Sequence, residues 1–130
     1  MTDRELVNMA KEAMEYAYAP YSHFKVGAAL LAKDGRVFKG CNIENATYGA
    51  TNCAERTAVF KAVSEGVREF AAIAIVASSG DYAAPCGICR QVLFEFMPDG
   101  KVILDSDEKG MATFSVQELL PFGFRGEDIK

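Results

Sequence analysis

Two short segments, Cys53-Ala54-Glu55 and Pro85-Cys86-Gly87-Ile88-Cys89, limit the folds open to this chain more than anything else in it. Cys86 and Cys89 stand i, i+3 behind a proline, a pattern that opens a helix and turns both sulfurs the same way. Cys53 sits at the start of a second predicted helix, with Glu55 in its first turn. Helix starts suit thiolates, because the unpaired N–H groups there favour negative charge and lower a thiol pKa. If the three sulfurs share one metal ion, two helices remote in sequence must begin at the same edge of the structure.

The rest of the chain allows that arrangement. It has 130 residues, enough for one domain spanning residues 1–130 with one core. Half of the residues are hydrophobic and a quarter charged, an ordinary globular balance. Met1-Thr2-Asp3-Arg4-Glu5 lacks the layout of a signal peptide, and no apolar run approaches the ~20 residues of a membrane span. Four cysteines without an export signal point to reduced thiols or metal ligands, so the expected location is cytoplasmic, with no membrane partner. The net charge is −4, and Lys25, Lys33, Arg36 and Lys39 are spread along a predicted hairpin without forming a cluster. Polymeric nucleic acid needs a basic footprint, so a small neutral substrate fits better.

Thr2-x-x-Glu5 resembles a capping box, and Leu6, Met9, Ala10, Ala13, Met14 and Ala17 follow at helical spacing, predicting a helix stopped by Pro20. Residues 24–32 and 36–41 read as strands joined by a Lys33-Asp34-Gly35 turn. A polar loop over 42–52 precedes a helix from about Asn52 to Gly66, with Glu55, Ala58, Val59, Ala62 and Val63 on one side. The apolar run 70–77 predicts a strand buried on both faces. A loop over 78–85 leads into a helix over 86–96, then strands over 101–104 and 112–114, with Ser115-x-x-Glu118 capping a last short helix. The order α β β α β α β β α is that of an α/β fold, with about five strands in one sheet and helices on its faces.

Three thiolates with an open fourth position are the pattern of catalytic zinc, whose bound water is acidified toward neutrality. Three thiolates on Zn²⁺ leave a net charge of −1, which weakens the Lewis acid. Arg56 is the candidate to offset this by donating to the sulfurs, with Arg90 a second candidate. Glu55, inside the apolar stripe of its helix, has the placement of a proton shuttle whose pKa burial would raise.

Plainer readings exist for several of these residues. Asn52-x-x-Glu55 has the spacing of a variant capping box, which would leave Glu55 a structural residue. Cys41, at a strand end, would complete a closed four-cysteine zinc site, or be a small buried hydrophobe. His23, the only histidine, reads as a surface loop residue, and Gly27 as a close-packing strand glycine. Asp105-x-Asp107-Glu108 lacks the spacing of a calcium loop and reads as a solvated turn.

Taken with Tyr18-Ala19-Pro20-Tyr21-Ser22, Phe24-Lys25-Val26-Gly27-Ala28-Ala29, Gly40-Cys41-Asn42-Ile43-Glu44-Asn45, Cys53-Ala54-Glu55-Arg56-Thr57-Ala58 and Pro85-Cys86-Gly87-Ile88-Cys89-Arg90-Gln91, the chain resembles the cytidine deaminases of the small, homotetrameric, three-cysteine type. The resemblance implies a three-layer α/β/α fold with a five-stranded mixed sheet. It implies one Zn²⁺ per chain on Cys53, Cys86 and Cys89, and hydrolytic deamination of cytidine and 2′-deoxycytidine in pyrimidine salvage. Activated water would attack C4 while Glu55 moves protons to N3 and the departing amine. It further implies that Asn42 and Glu44 bind the ribose hydroxyl, that Phe24 packs on the pyrimidine, and that Ala54 lines the substrate site. Ala46, Tyr48 and Phe124 would reach a neighbouring subunit's site, with Phe122 an alternative to Phe124. A blasticidin-type deaminase, a polynucleotide editor and a non-catalytic zinc module are the competing functions.

Overall fold

A computed structural model describes residues 1–129. Helix α1 (Asp3–Met14) begins at the expected capping box: the Thr2 hydroxyl accepts the Glu5 N–H, and Glu5 reaches back to the Thr2 N–H. Its stripe buries Leu6, Val7, Ala10 and Ala13. The helix ends well before Pro20. The cause is tertiary: Tyr18 N–H donates to the Asn42 carbonyl at 2.9 Å, and Glu44 N–H to the Tyr18 carbonyl at 2.8 Å, which pulls residues 15–18 out of the helix.

Strands β1 (Val26–Ala32), β2 (Val37–Cys41), β3 (Phe70–Ala77), β4 (Lys101–Ser106) and β5 (Gly110–Ser115) form one sheet in the order β2-β1-β3-β4-β5. The pairing is mixed, with β3 and β4 parallel and the other neighbours antiparallel. β3 spans the residues of the apolar run and is buried along nearly its whole length. Gly35, with φ 96°, makes the β1–β2 turn.

Alternation along the strands sends Ala29, Ala74, Val76 and Ile103 toward α1 on one face. On the other, Ala28, Leu30, Ile73, Ile75, Val102 and Leu104 meet helices α2 (Ala54–Ser64) and α3 (Gly87–Phe96). Two glycines set the layer spacing. A Cβ on Gly27 would stand 2.6 Å from the Met14 nitrogen, and one on Gly40 2.5 Å from both the Ala54 oxygen and the Ala58 nitrogen. α1 and the first turns of α2 therefore lie directly on the strands. No helix among the described residues is long and apolar enough to cross a membrane.

Three local expectations change. The N-cap of α2 is Cys53, so Asn52 and Glu55 make no capping box, and the Asn52 side chain donates instead to the Thr57 hydroxyl. Helix α3 starts one residue later than expected, at Gly87, with Cys86 as its N-cap and Pro85 just before the cap. Asp105 is a buried residue of β4, not part of a solvated turn. Its Oδ2 lies 3.3 Å from Arg4 Nη1 and 3.4 Å from Lys11 Nζ, both on α1. Helix α4 (Val116–Leu119) starts at the Ser115/Glu118 capping box.

Candidate active site

Cys53 caps α2, Cys86 caps α3, and Cys89 lies in the first turn of α3, so both helices present their N-termini at one edge of the sheet. The three sulfurs all lie within 4.8 Å of one another, and those of Cys53 and Cys86 are 3.9 Å apart. Sulfurs about 2.3 Å from one tetrahedral metal centre stand ~3.8 Å apart, so the donor set and spacing fit zinc. Cys53 is held down to about 5, first by a hydrogen bond shared with Cys89 and then by Arg56. The same contact, with burial, pushes the Cys89 thiol up. Three sulfurs this close cannot all ionise without a cation among them. Cys41 is no part of this group; it is half-buried at the end of β2, and burial raises its pKa.

Glu55 is 5% exposed, two residues beyond Cys53 on the inward face of α2. Burial pushes its carboxyl up to about 7, and the negative charge of Cys53 adds to the rise. Arg56 Nη2 donates to Cys53 Sγ at 3.3 Å, as expected. Arg90 does not join it. Its Nε donates to the Pro85 carbonyl at 2.7 Å and its Nη1 to the Leu119 carbonyl at 2.9 Å.

The residues expected at the sugar form a connected pair of loops. Asn42, buried, accepts the Val26 N–H at 2.8 Å and donates to the Phe24 carbonyl at 2.8 Å, which fixes the start of β1. One N–H and one lone pair of its amide are left for a ligand. Glu44 Oε1 accepts the backbone N–H groups of Tyr21 (2.9 Å) and Ser22 (3.1 Å), and Oε2 accepts the Ser22 hydroxyl. These bonds, Ser22's first, hold the Glu44 carboxyl below the usual carboxylate range. The Ser22 oxygen also accepts the Phe24 N–H at 3.0 Å. Sequence reasoning does not reach Ser22, although a serine two residues before an expected contact is a recognisable turn signal. His23 between them is exposed, with φ 58°.

Tyr21, Ser22, Glu44, Tyr48 and Thr51 line an open hollow of about 410 Å³, with the Tyr48 ring edge-on to Tyr21 at 6.0 Å. Ala46 and Tyr48 are exposed on the same loop, and Ala54 is fully buried as the first residue of α2. Phe124 lies elsewhere: Gln91 of α3 donates to its carbonyl at 2.7 Å and accepts its N–H at 3.1 Å. The Phe122 side chain is fully exposed. The structure therefore brings Cys53, Cys86, Cys89, Glu55 and Arg56 together, links Phe24, Asn42 and Glu44, and leaves Ala46, Tyr48 and Phe124 facing outward.

Residues 1–105 match the family described as "Cytidine and deoxycytidylate deaminase zinc-binding region". A cytidine deaminase from Halalkalibacterium halodurans is 55% identical over 129 residues, 98% of this chain and 98% of that one. The crystal structure of cytidine deaminase from Burkholderia pseudomallei superposes with a TM-score of 0.91 at 53% identity, covering 95% of this chain and 100% of that one. Identity falls to 32% for a blasticidin-S deaminase from Bacillus cereus, over 94% of this chain and 91% of that one. A match of this extent, on a sheet and a thiolate triangle of this geometry, means that the chain belongs to the zinc-binding cytidine deaminase family.

Proposed function

We propose that this chain converts cytidine and 2′-deoxycytidine, with water, to uridine and 2′-deoxyuridine and ammonia. The observation that carries this reading is the buried Glu55 carboxyl standing two residues from a ligand of the three-thiolate cluster. When bound there, zinc supplies the Lewis acidity that brings a water molecule near neutrality. Glu55, with a pKa of about 7, is poised to both take and give a proton at working pH. It accepts one from the water at its carboxylate and passes it to ring N3, then takes the remaining proton of the oxygen added at C4 and delivers it to the departing amino group. At C4 the net change is replacement of nitrogen by oxygen.

The other residues bind and orient. Phe24 packs on the pyrimidine, and Ala54, fully buried, backs the base pocket from beneath. The free N–H of Asn42 and the remaining lone pair of Glu44 read a ribose hydroxyl, and a site built that way penalises ligands without it. That pairing, and the higher identity to cytidine deaminases, supports a plain nucleoside over blasticidin S. Arg56 offsets the −1 charge of zinc with three thiolates. We assign Ala46, Tyr48 and Phe124 to contacts with a neighbouring subunit's site in a homotetramer. The assigned setting is cytoplasmic pyrimidine salvage.

Loss of the cytosine absorbance band on adding cytidine to zinc-quantified protein tests the reaction. Glu55→Gln should keep its zinc and lose about 10²–10⁴-fold in turnover. Full activity in that variant would mean that Glu55 moves no proton in the reaction, and an inactive wild type carrying one zinc per chain would reject the substrate.

A further inference from the structure

We propose that Arg90 is the positioning residue for the metal ligand Cys86, acting as a two-ended brace between the ligand loop and α4. Cys86 is the exposed member of the thiolate triangle, at the very start of α3 after the irregular stretch 78–85. The residue before it, Pro85, is fully buried and has no N–H, so its carbonyl is the one backbone group by which it can be tied. Arg90 Nε takes that carbonyl at 2.7 Å, in addition to the helical bond from Arg90 N–H to the Cys86 carbonyl at 2.9 Å. The other end of the same guanidinium takes the carbonyl of Leu119, the last residue of α4, at 2.9 Å. α4 is in turn held at its own start by the Ser115/Glu118 capping box at the end of β5.

A planar fork with fixed N–H directions holds two carbonyls at a set separation, which a flexible ammonium does not. Cys86 is thereby referenced through a rigid cation to an element anchored on the sheet. Losing the fork leaves the buried Pro85 carbonyl without its donor, and the loop regains freedom just where a sulfur must be held. The neighbouring Gln91 provides a built-in contrast, since its side-chain hydrogen bonds from the same helix go to Phe124 of the C-terminal segment.

The inference rests on the zinc reading through the assignment of Cys86 as a ligand. Its test is the rate at which zinc-loaded protein releases metal to a chromogenic chelator, read for wild type, Arg90→Met, Arg90→Lys and Gln91→Leu. Each is measured well below its own thermal unfolding, followed by circular dichroism. Arg90→Met should release zinc about 10-fold faster or more, the scale on which outer partners of metal ligands act. Arg90→Lys should fall between it and wild type, and Gln91→Leu should match wild type. Release from Arg90→Met at the wild-type rate would overturn the proposal. So would full rescue by lysine, which would make charge the relevant property, or equal acceleration by Gln91→Leu, which would indicate general loosening of this end of the fold. If Arg90→Met does not fold, Arg90→Lys decides: faster release than wild type and Gln91→Leu supports the brace, and an equal rate rejects it. Wild-type protein that binds no zinc would separately reject the ligand assignment, and the brace with it.

Discussion

Arg56 Nη2 lies 3.3 Å from Cys53 Sγ, so the start of α2 carries both a sulfur of the cluster positioned to bind a metal ion and a cation that shares its charge. Glu55 sits between them and faces inward. Arg56→Ala should lower kcat by about 10-fold or more, in the range seen when outer partners of ligands are removed, with zinc content unchanged. Parallel kinetics and metal analysis check this. Turnover equal to wild type would show that the thiolate charge needs no such partner.

Glu44 contributes order to its loop only as a carboxylate, because it accepts three hydrogen bonds from Tyr21 and Ser22. Its lowered pKa fixes the sign of the pH effect. The contribution is complete above the ordinary carboxyl value of ~4.3 and disappears as pH falls through the lowered one. The difference in thermal midpoint between wild type and Glu44→Ala should be constant near neutrality and shrink toward zero in acid. A difference that persists unchanged at the lowest pH tolerated would argue against ionisation as its source.

Gly27 faces α1 across a gap too small for a methyl group. Gly27→Ala should cost about 1–3 kcal/mol by overpacking, read as a fall in the urea midpoint at constant slope. A variant as stable as wild type would mean that α1 shifts freely on β1.

Asp105 is buried, while its partners Arg4 and Lys11 remain nearly half exposed. Each cation alone is worth less than about 1 kcal/mol, because the other still faces the carboxylate and water screens both. Arg4→Ala with Lys11→Ala should cost more than the two separate losses together, by roughly 0.5–3 kcal/mol, since only the double variant leaves the carboxylate bare. Additive losses in denaturant unfolding would reject this coupling.

What could be read from the chain follows the range of the forces involved. β3 was legible to its ends because burial on both faces writes a continuous apolar run, and the start of α1 because its capping box is local. The end of α1 was not, since the pairing of Tyr18 with residues 42–44 decides it. Asp105 looked like a turn residue because the cations that make its burial tolerable lie on α1. The cysteines that converge on one point are legible one segment at a time, because their spacing within each segment is local. The Ser22 bridge to Glu44 and the turning of Arg90 toward Pro85 and Leu119 depend on contacts between separate stretches of chain, and no periodicity records those.

Gly40 gives the site a floor of fixed height. The first turn of α2, with Cys53 and Glu55, stands on β2 with no space for even one carbon between them. A variant redesigned for a bulkier base cannot gain depth by sinking that helix or raising it without disturbing the three-cysteine cluster. Any room must be cut from the walls, in the stretches 18–24 and 42–52, where the backbone is irregular.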